Sequence, residues 1–210
     1  NTVSIESGSI TGEVYGGQAN YGSSTGNTVT IGTTGEGQLS GAYGGTGRTA
    51  AKNNKIIFNG GTTAMLIGGF VEGTDGDIDG AVGNIVEMNG GTSSITAGGY
   101  ANGSAPATGN NVTVTGGTTE TVLGGKADGD TNDNIVTISG GTITGNIYGG
   151  QSAEESSTGN TVTIKGGDIN GIINGGATDN ETGNNQADNN TVTIESGNVT
   201  ATVAGGNSNY

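Results

Sequence analysis

The sequence predicts an all-β fold, a right-handed parallel β-helix (β-solenoid) of about eight coils. Three observations predict it: an internal repeat that fills the chain, two columns of apolar, mostly β-branched residues inside each copy, and a glycine pair that recurs in every copy. Asn opens each unit, at Asn1, Asn27, Asn54, Asn84, Asn110, Asn134, Asn160 and Asn190. The 210 residues divide without remainder into 1–26, 27–53, 54–83, 84–109, 110–133, 134–159, 160–189 and 190–210, a single domain of eight repeats with no linker.

Within a unit the first strand comes first. Val3, Val29, Ile56, Val86, Val112, Val136, Val162 and Val192 form one apolar column. Ile5, Ile31, Phe58, Met88, Val114, Ile138, Ile164 and Ile194 form the next, two residues on. Thr or Ser mostly lies between, the alternation of a strand with one buried face. A glycine corner follows, where φ > 0 lets the chain turn tightly. A middle strand reads clearly at Ile10, Ile143, Ile169 and Val199 and is blurred where Thr63, Ser93 and Thr119 take the slot. A third column precedes the glycine pair: Val14, Leu66, Val122, Ile147, Ile173 and Val203, with Ala42 and Thr96 as exceptions. The pair itself runs from Gly16-Gly17 to Gly205-Gly206. Nearly all variation in repeat length falls in the Gly/Ser/Thr/Asn/Asp-rich segment after it, which is expected to form irregular loops on one face of the stack. One unit cannot bury its own apolar residues; stacked units bury them in a common column, and parallel crossovers favour the right hand. At ~4.8 Å per coil, eight coils make a rod of roughly 40 Å.

Identical Asn residues at one inward corner position invite a second regularity. A buried amide needs both donor and acceptor partners, and stacked Asn side chains can supply them to one another as a ladder along the axis. Asn as a simple turn residue is the alternative.

Composition narrows function by exclusion. With 47 Gly, 37 Ile, Val, Leu and Phe together, and a net charge of −14, the chain falls in the compositional range of disordered proteins. The register of those few apolar residues overrides that reading. Without His or Cys there is no Ser-His-Asp or Cys-His catalysis, no imidazole or thiolate zinc site and no disulfide framework. The acidic balance argues against nucleic acid and against anionic membrane. No apolar run is long enough for a transmembrane helix.

The stretches GNTVTI, SGGTITGNIYGG and TGNTVTIKGGDINGIINGG resemble the Gly/Thr/Asn-rich repeats of large bacterial autotransporter-type adhesins, of the NTVTIxGGTxTGxVYGG kind found in fusobacteria and related anaerobes. The likeness spans all eight units. It implies a right-handed β-helical passenger displayed outside the cell, extracellular or on the bacterial surface, without catalysis. Neither end reads as a polar cap, so the chain is expected to be a segment of a longer array or a subunit that stacks end to end. The first functional expectation is a repetitive adhesin stalk presenting loops for weak contact with a host or bacterial surface protein or glycan. The second is a self-stacking filament or surface-layer subunit. The third, an enzyme acting on polysaccharide, lacks a recurring carboxylate pair or basic cleft: Arg48 is the only Arg, and Lys52, Lys55, Lys126 and Lys165 are scattered.

Three surface features have the right chemistry for contacts. Asp75, Asp77 and Asp79 alternate in the loop Asp75-Gly76-Asp77-Ile78-Asp79-Gly80, a spacing at which hard oxygens can converge on calcium; the other reading is a solvated acidic loop. A weaker candidate runs from Asp128 through Asp130 to Asp133. No other cofactor is expected. The residues just before each second glycine pair, Tyr15, Tyr43, Ile67, Ala97, Leu123, Tyr148, Asn174 and Ala204, point outward by alternation. They form either a contact strip for a sugar or protein, or a row covered by the loops or turned inward at a corner. The outward Thr columns would order water only if unbroken, and Lys55, Ile57, Ile85 and Glu87 interrupt them.

Overall fold

A computed structural model describes residues 1–32, 38–73, 78–179 and 185–208. It is a parallel β-solenoid with three sheets running along its length. The first sheet stacks eight four-residue strands, from Thr2–Ile5 to Thr191–Ile194. Their register places like on like: Val86 pairs with Ile56 and Val112, Met88 with Phe58 and Val114. Every inward column therefore stays inward along the stack, because strand pairing with a side-chain period of two preserves the face.

The second sheet carries the longest strands, Gln38–Gly47, Thr62–Val71, Thr92–Ala101 and Thr118–Ala127, flanked by shorter paired pieces in the outer repeats. Its inward residues meet those of the first sheet in one apolar column including Ile31, Phe58, Leu66, Met88, Val122 and Ile147. The blurred middle slot is a real variant of the coil. Thr63, Ser93 and Thr119 are buried in register with Leu39 and Ile143. Their hydroxyls bend back to the carbonyls of Met65 (2.9 Å), Ile95 (2.7 Å) and Thr121 (3.4 Å), so the inward polar atoms have partners.

The segment expected to be irregular loop contains a third sheet. Its short strands include Ser23–Thr25, Ala50–Lys52, Gly80–Val82 and Ser157–Thr158, paired coil to coil. Ala51, Ala81 and Ala107 on it pack with Val71, Ala101 and Ala127 of the second sheet in a separate small-residue cluster. Small side chains let the two sheets approach closely, and they give no strong apolar alternation in the sequence. In the segment after Gly175-Gly176 the backbone at Gln186 and Asp188 accepts from Ser157 N (2.8 Å) and Gly159 N (3.1 Å), so it too joins the stack.

The glycines divide into two kinds. Gly61, Gly91, Gly117, Gly141 and Gly167, after the first strand, have φ between +81° and +94° and are the corners that need positive φ. The second pair does not lie at positive φ. There the missing Cβ matters: on Gly124 it would sit 2.3 Å from Gly149 O, and on Gly125 2.6 Å from Asn134 Nδ2. The pair makes room for the next coil and its Asn.

In the end coils the inward residues are less covered: Ile194 is 43% and Val203 45% exposed, against 0% for Val112. Among the described residues no helix is long and apolar enough to cross a membrane.

Candidate functional site

The Asn residues stand in one continuous file. Nδ2 of Asn1 donates to Oδ1 of Asn27 (2.8 Å), and the contact repeats through Asn54, Asn84, Asn110, Asn134 and Asn160 to Asn190 at 2.9–3.0 Å. Each Oδ1 beyond the first also accepts from the backbone N of the preceding Asn, as Asn134 Oδ1 does from Asn110 N at 3.0 Å. The second Nδ2 proton goes to the third sheet: Asn110 donates to Ala81 O (2.9 Å) and Asn134 to Ala107 O (2.9 Å). The amides from Asn54 to Asn160 are fully buried with donors and acceptors paired. A residue with positive φ delivers the chain into this slot: Gly26, Asn53, Gly83, Gly109, Asp133, Gly159 and Asn189 precede the Asn of their coils. Gly, Asn and Asp are the residues that tolerate this conformation best. The file is structural, joining the first and third sheets along the axis.

The acidic loops do not form a described cation cage. Asp75 and Asp77 lie outside the described residues. Asp79 Oδ2 is 2.7 Å from Lys52 Nζ in an exposed ion pair between coils. In the weaker candidate, Asp128 Oδ2 accepts from Gly103 N (2.8 Å) and Asp130 Oδ1 from Ser156 N (3.1 Å), while Asp133 sits at φ +56° ahead of its Asn. Asp128 and Asp130 thus serve the backbone of the adjacent coils. Among the described residues no three His, Cys, Asp or Glu gather to hold a metal.

The row before the glycine pair forms the most developed outer feature. It lies on the face of the second sheet opposite the main core. Tyr43 (6% exposed), Ile67, Ala97 and Leu123 are buried there, and Tyr15 and Tyr148 are half-buried against them. Of the two expected arrangements, the covered one holds for Tyr43, Ile67, Ala97 and Leu123, because other side chains cover the row. Residues of the same sheet do so, two before the row (Met65, Ile95) and three after it (Phe70, Tyr100). Side chains on the two sides of the glycine pair flank the row as the walls of a trough. Phe70 and Tyr100 follow Gly69 and Gly99 directly, the one signal that could have pointed to them in the sequence.

The trough is aromatic at one end and mixed at the other. Tyr15 and Tyr43 stack at 5.0 Å with planes 10° apart. Tyr43 then meets Phe70 at 6.1 Å, and Phe70 meets Tyr100 edge-on at 5.5 Å. Such pairs add about 0.5–1.5 kcal/mol each beyond area burial. Lys126 Nζ lies 5.4 Å from the centre of the Tyr100 ring. Between these walls is an open hollow of about 210 Å³ lined by Tyr43, Met65, Ile67, Phe70, Ile95, Tyr100 and Asn102. Burial raises the phenol pKa of Tyr15 well above its ordinary value, helped by its hydrogen bond to the Glu13 carboxylate. Tyr43 is raised too, first by burial and then by the negative charges of Glu13 and Glu72. The aromatic end therefore lies in a negative field. Comparison of the chain with family models, with curated proteins and with solved structures finds no match.

Proposed function

We propose that this chain is a non-catalytic segment of a bacterial adhesin, extracellular or held on the cell surface, that serves as a rigid stalk and makes weak lateral contacts with a surface protein or glycan. One observation carries the reading: a coil reinforced at every level by the amide file also holds an apolar trough on its outside. A stiff, repetitive rod with a sticky side suits a spacer that must project and touch. The repeat phrases that resemble autotransporter-type adhesins support the same setting. The test is antibody labelling of intact source cells. Labelling that external protease removes is expected; an epitope reached only after lysis would reject display.

A second reading is favoured by the partly uncovered inward residues of the end coils, Ile194 and Val203 among them. A further coil laid on either end would cover them, from more residues of a longer chain or from a second copy. Fibres that lengthen with concentration would select the filament; a monomer across the same range in size-exclusion chromatography would reject it.

A further inference from the structure

Among the described residues, the hollow between Met65, Phe70, Ile95 and Tyr100 offers a partner both shape and apolar chemistry. At about 210 Å³ it is smaller than the roughly 300–1,000 Å³ of most small-molecule sites. It suits a single large side chain. The lining is mostly apolar: its polar side-chain groups are the Asn102 amide and the hydroxyls of Tyr43 and Tyr100, and that of Tyr43 is turned to Met65 Sδ at 3.8 Å. A sugar would bury hydroxyl groups there with few partners, at about 1–3 kcal/mol for each one left unpaired. An apolar side chain has no such penalty and gains about 1.5–3 kcal/mol by full burial.

Charge decides what that side chain is attached to. The chain carries −14, and Glu13 and Glu72 stand close enough to the aromatic end to disfavour ionisation of Tyr43. A second copy of this chain would bring a further −14 against it, and an anionic lipid surface would be repelled in the same way. A cationic segment would be drawn in. Lys126 beside the Tyr100 ring also illustrates how a cation and this aromatic wall fit together.

We infer that the hollow is the anchor site for a basic segment of a partner protein, which inserts one large apolar side chain between Met65, Phe70, Ile95 and Tyr100 while its Lys or Arg residues face the carboxylates of Glu13 and Glu72. This rests on the adhesive reading above and names the class of its partner. The lateral contact is then a peptide-like one, in which the apolar anchor gives register and charge gives rate.

The experiment uses a short fluorescein-labelled peptide of lysines and glycines with one central phenylalanine, titrated with the whole chain and read by anisotropy. The controls replace the phenylalanine by serine, or the lysines by glutamates. The phenylalanine peptide is expected to bind about tenfold or more tightly than the serine peptide, and the glutamate peptide not at all. Ile95→Ser and Tyr100→Ser, in half-buried walls, each remove the advantage of phenylalanine; Ile135→Ser, on the outer face of the first sheet, leaves it intact. A benzophenone side chain in place of phenylalanine, used on the unaltered protein, is expected to cross-link within 65–100. Equal binding of the phenylalanine and serine peptides, an advantage that survives both wall substitutions, or cross-links confined to other coils would each overturn the assignment. Displacement of the phenylalanine peptide by a neutral oligosaccharide such as cellohexaose would overturn it in favour of a glycan. Cell-surface labelling that persists when peptide binding fails rejects the anchor site alone; peptide binding without surface labelling rejects display alone.

Discussion

Asn110 sits in the middle of the amide file with its side-chain oxygen and both amide protons engaged. Its Oδ1 accepts from Asn84 N and Nδ2 (2.9 and 3.0 Å), and its Nδ2 donates to Asn134 Oδ1 and Ala81 O (both 2.9 Å). Asn110→Ala strips the Asn84 donors of their acceptor and the two carbonyl oxygens of a donor, in a site closed to water. At about 1–3 kcal/mol for each orphaned group, the loss is expected to reach several kcal/mol in a urea melt. Asn110→Asp keeps the shape and places an anion beside two carbonyl oxygens. Burial and those oxygens raise the carboxyl pKa in the folded state above its unfolded value near ~3.9. The sign follows: the protonated acid is preferred on folding, so the defect is smallest below about pH 4 and grows as pH rises through the folded pKa. A deficit independent of pH would show that the file does not depend on a donor there. The phenols obey the same rule. Tyr15 and Tyr43 are raised, so their share of stability holds below about pH 10 and falls as pH climbs toward their folded values. Absorbance titration near 295 nm is expected to find phenols that ionise only with unfolding.

At the scale of the coil, two glycine positions separate two physical causes. A Cβ at Gly124 would lie 2.3 Å from Gly149 O and 2.9 Å from Asn134 Cβ. Backbone of the next coil cannot retreat without pulling the sheets apart, so Gly124→Ala is expected to cost about 3 kcal/mol or more, at or beyond the upper end of ordinary overpacking. Gly109 has φ +64° and open space around a would-be Cβ. Gly109→Ala is expected to cost only the conformational penalty of about 1–2 kcal/mol. Gly109→Asn should cost less again, because Asn53 and Asn189 hold the same conformation at the same slot. Chemical denaturation of the three variants checks the order; Gly124→Ala as mild as Gly109→Asn would remove the close-approach argument. The same comparison separates glycines that look alike in the sequence. The second pair is Gly in all eight repeats, whereas the slot before the Asn also takes Asn53, Asp133 and Asn189, and only coordinates reveal that the missing Cβ governs the first and φ the second.

For the whole rod, charge and stacking set the behaviour. Among the described residues the ion pairs Lys52–Asp79 and Lys55–Glu87 are both at least one-third exposed and add little. The remaining acidic excess repels itself in the folded state. Melting temperature is therefore expected to rise by a few degrees between ~0.01 M and ~0.15 M salt, as the screening length falls from about 30 Å to about 8 Å; a flat response would show that the rod spaces its carboxylates too widely to matter. Because each coil touches only its neighbours, stability is distributed along the axis. Amide exchange is expected to be slowest around 84–138 and faster in the first and last coils, where inward side chains are less covered.

The sequence by itself determined the stack, since a two-residue alternation of Val and Ile on a repeating frame leaves one way to bury so few apolar atoms. It also marked the slot of the Asn file, because the same residue recurs at one position in every repeat. Tertiary structure alone decided the rest. The third sheet was hidden because Ala, Ser and Thr pack closely without a strong alternating pattern. The trough was hidden because its walls, Met65 with Phe70 and Ile95 with Tyr100, stand five residues apart along the chain on opposite sides of a glycine pair. Whether side chains in those positions face outward separately or line one hollow depends on the bend between them and on the coils above and below, and neither is written in any single repeat.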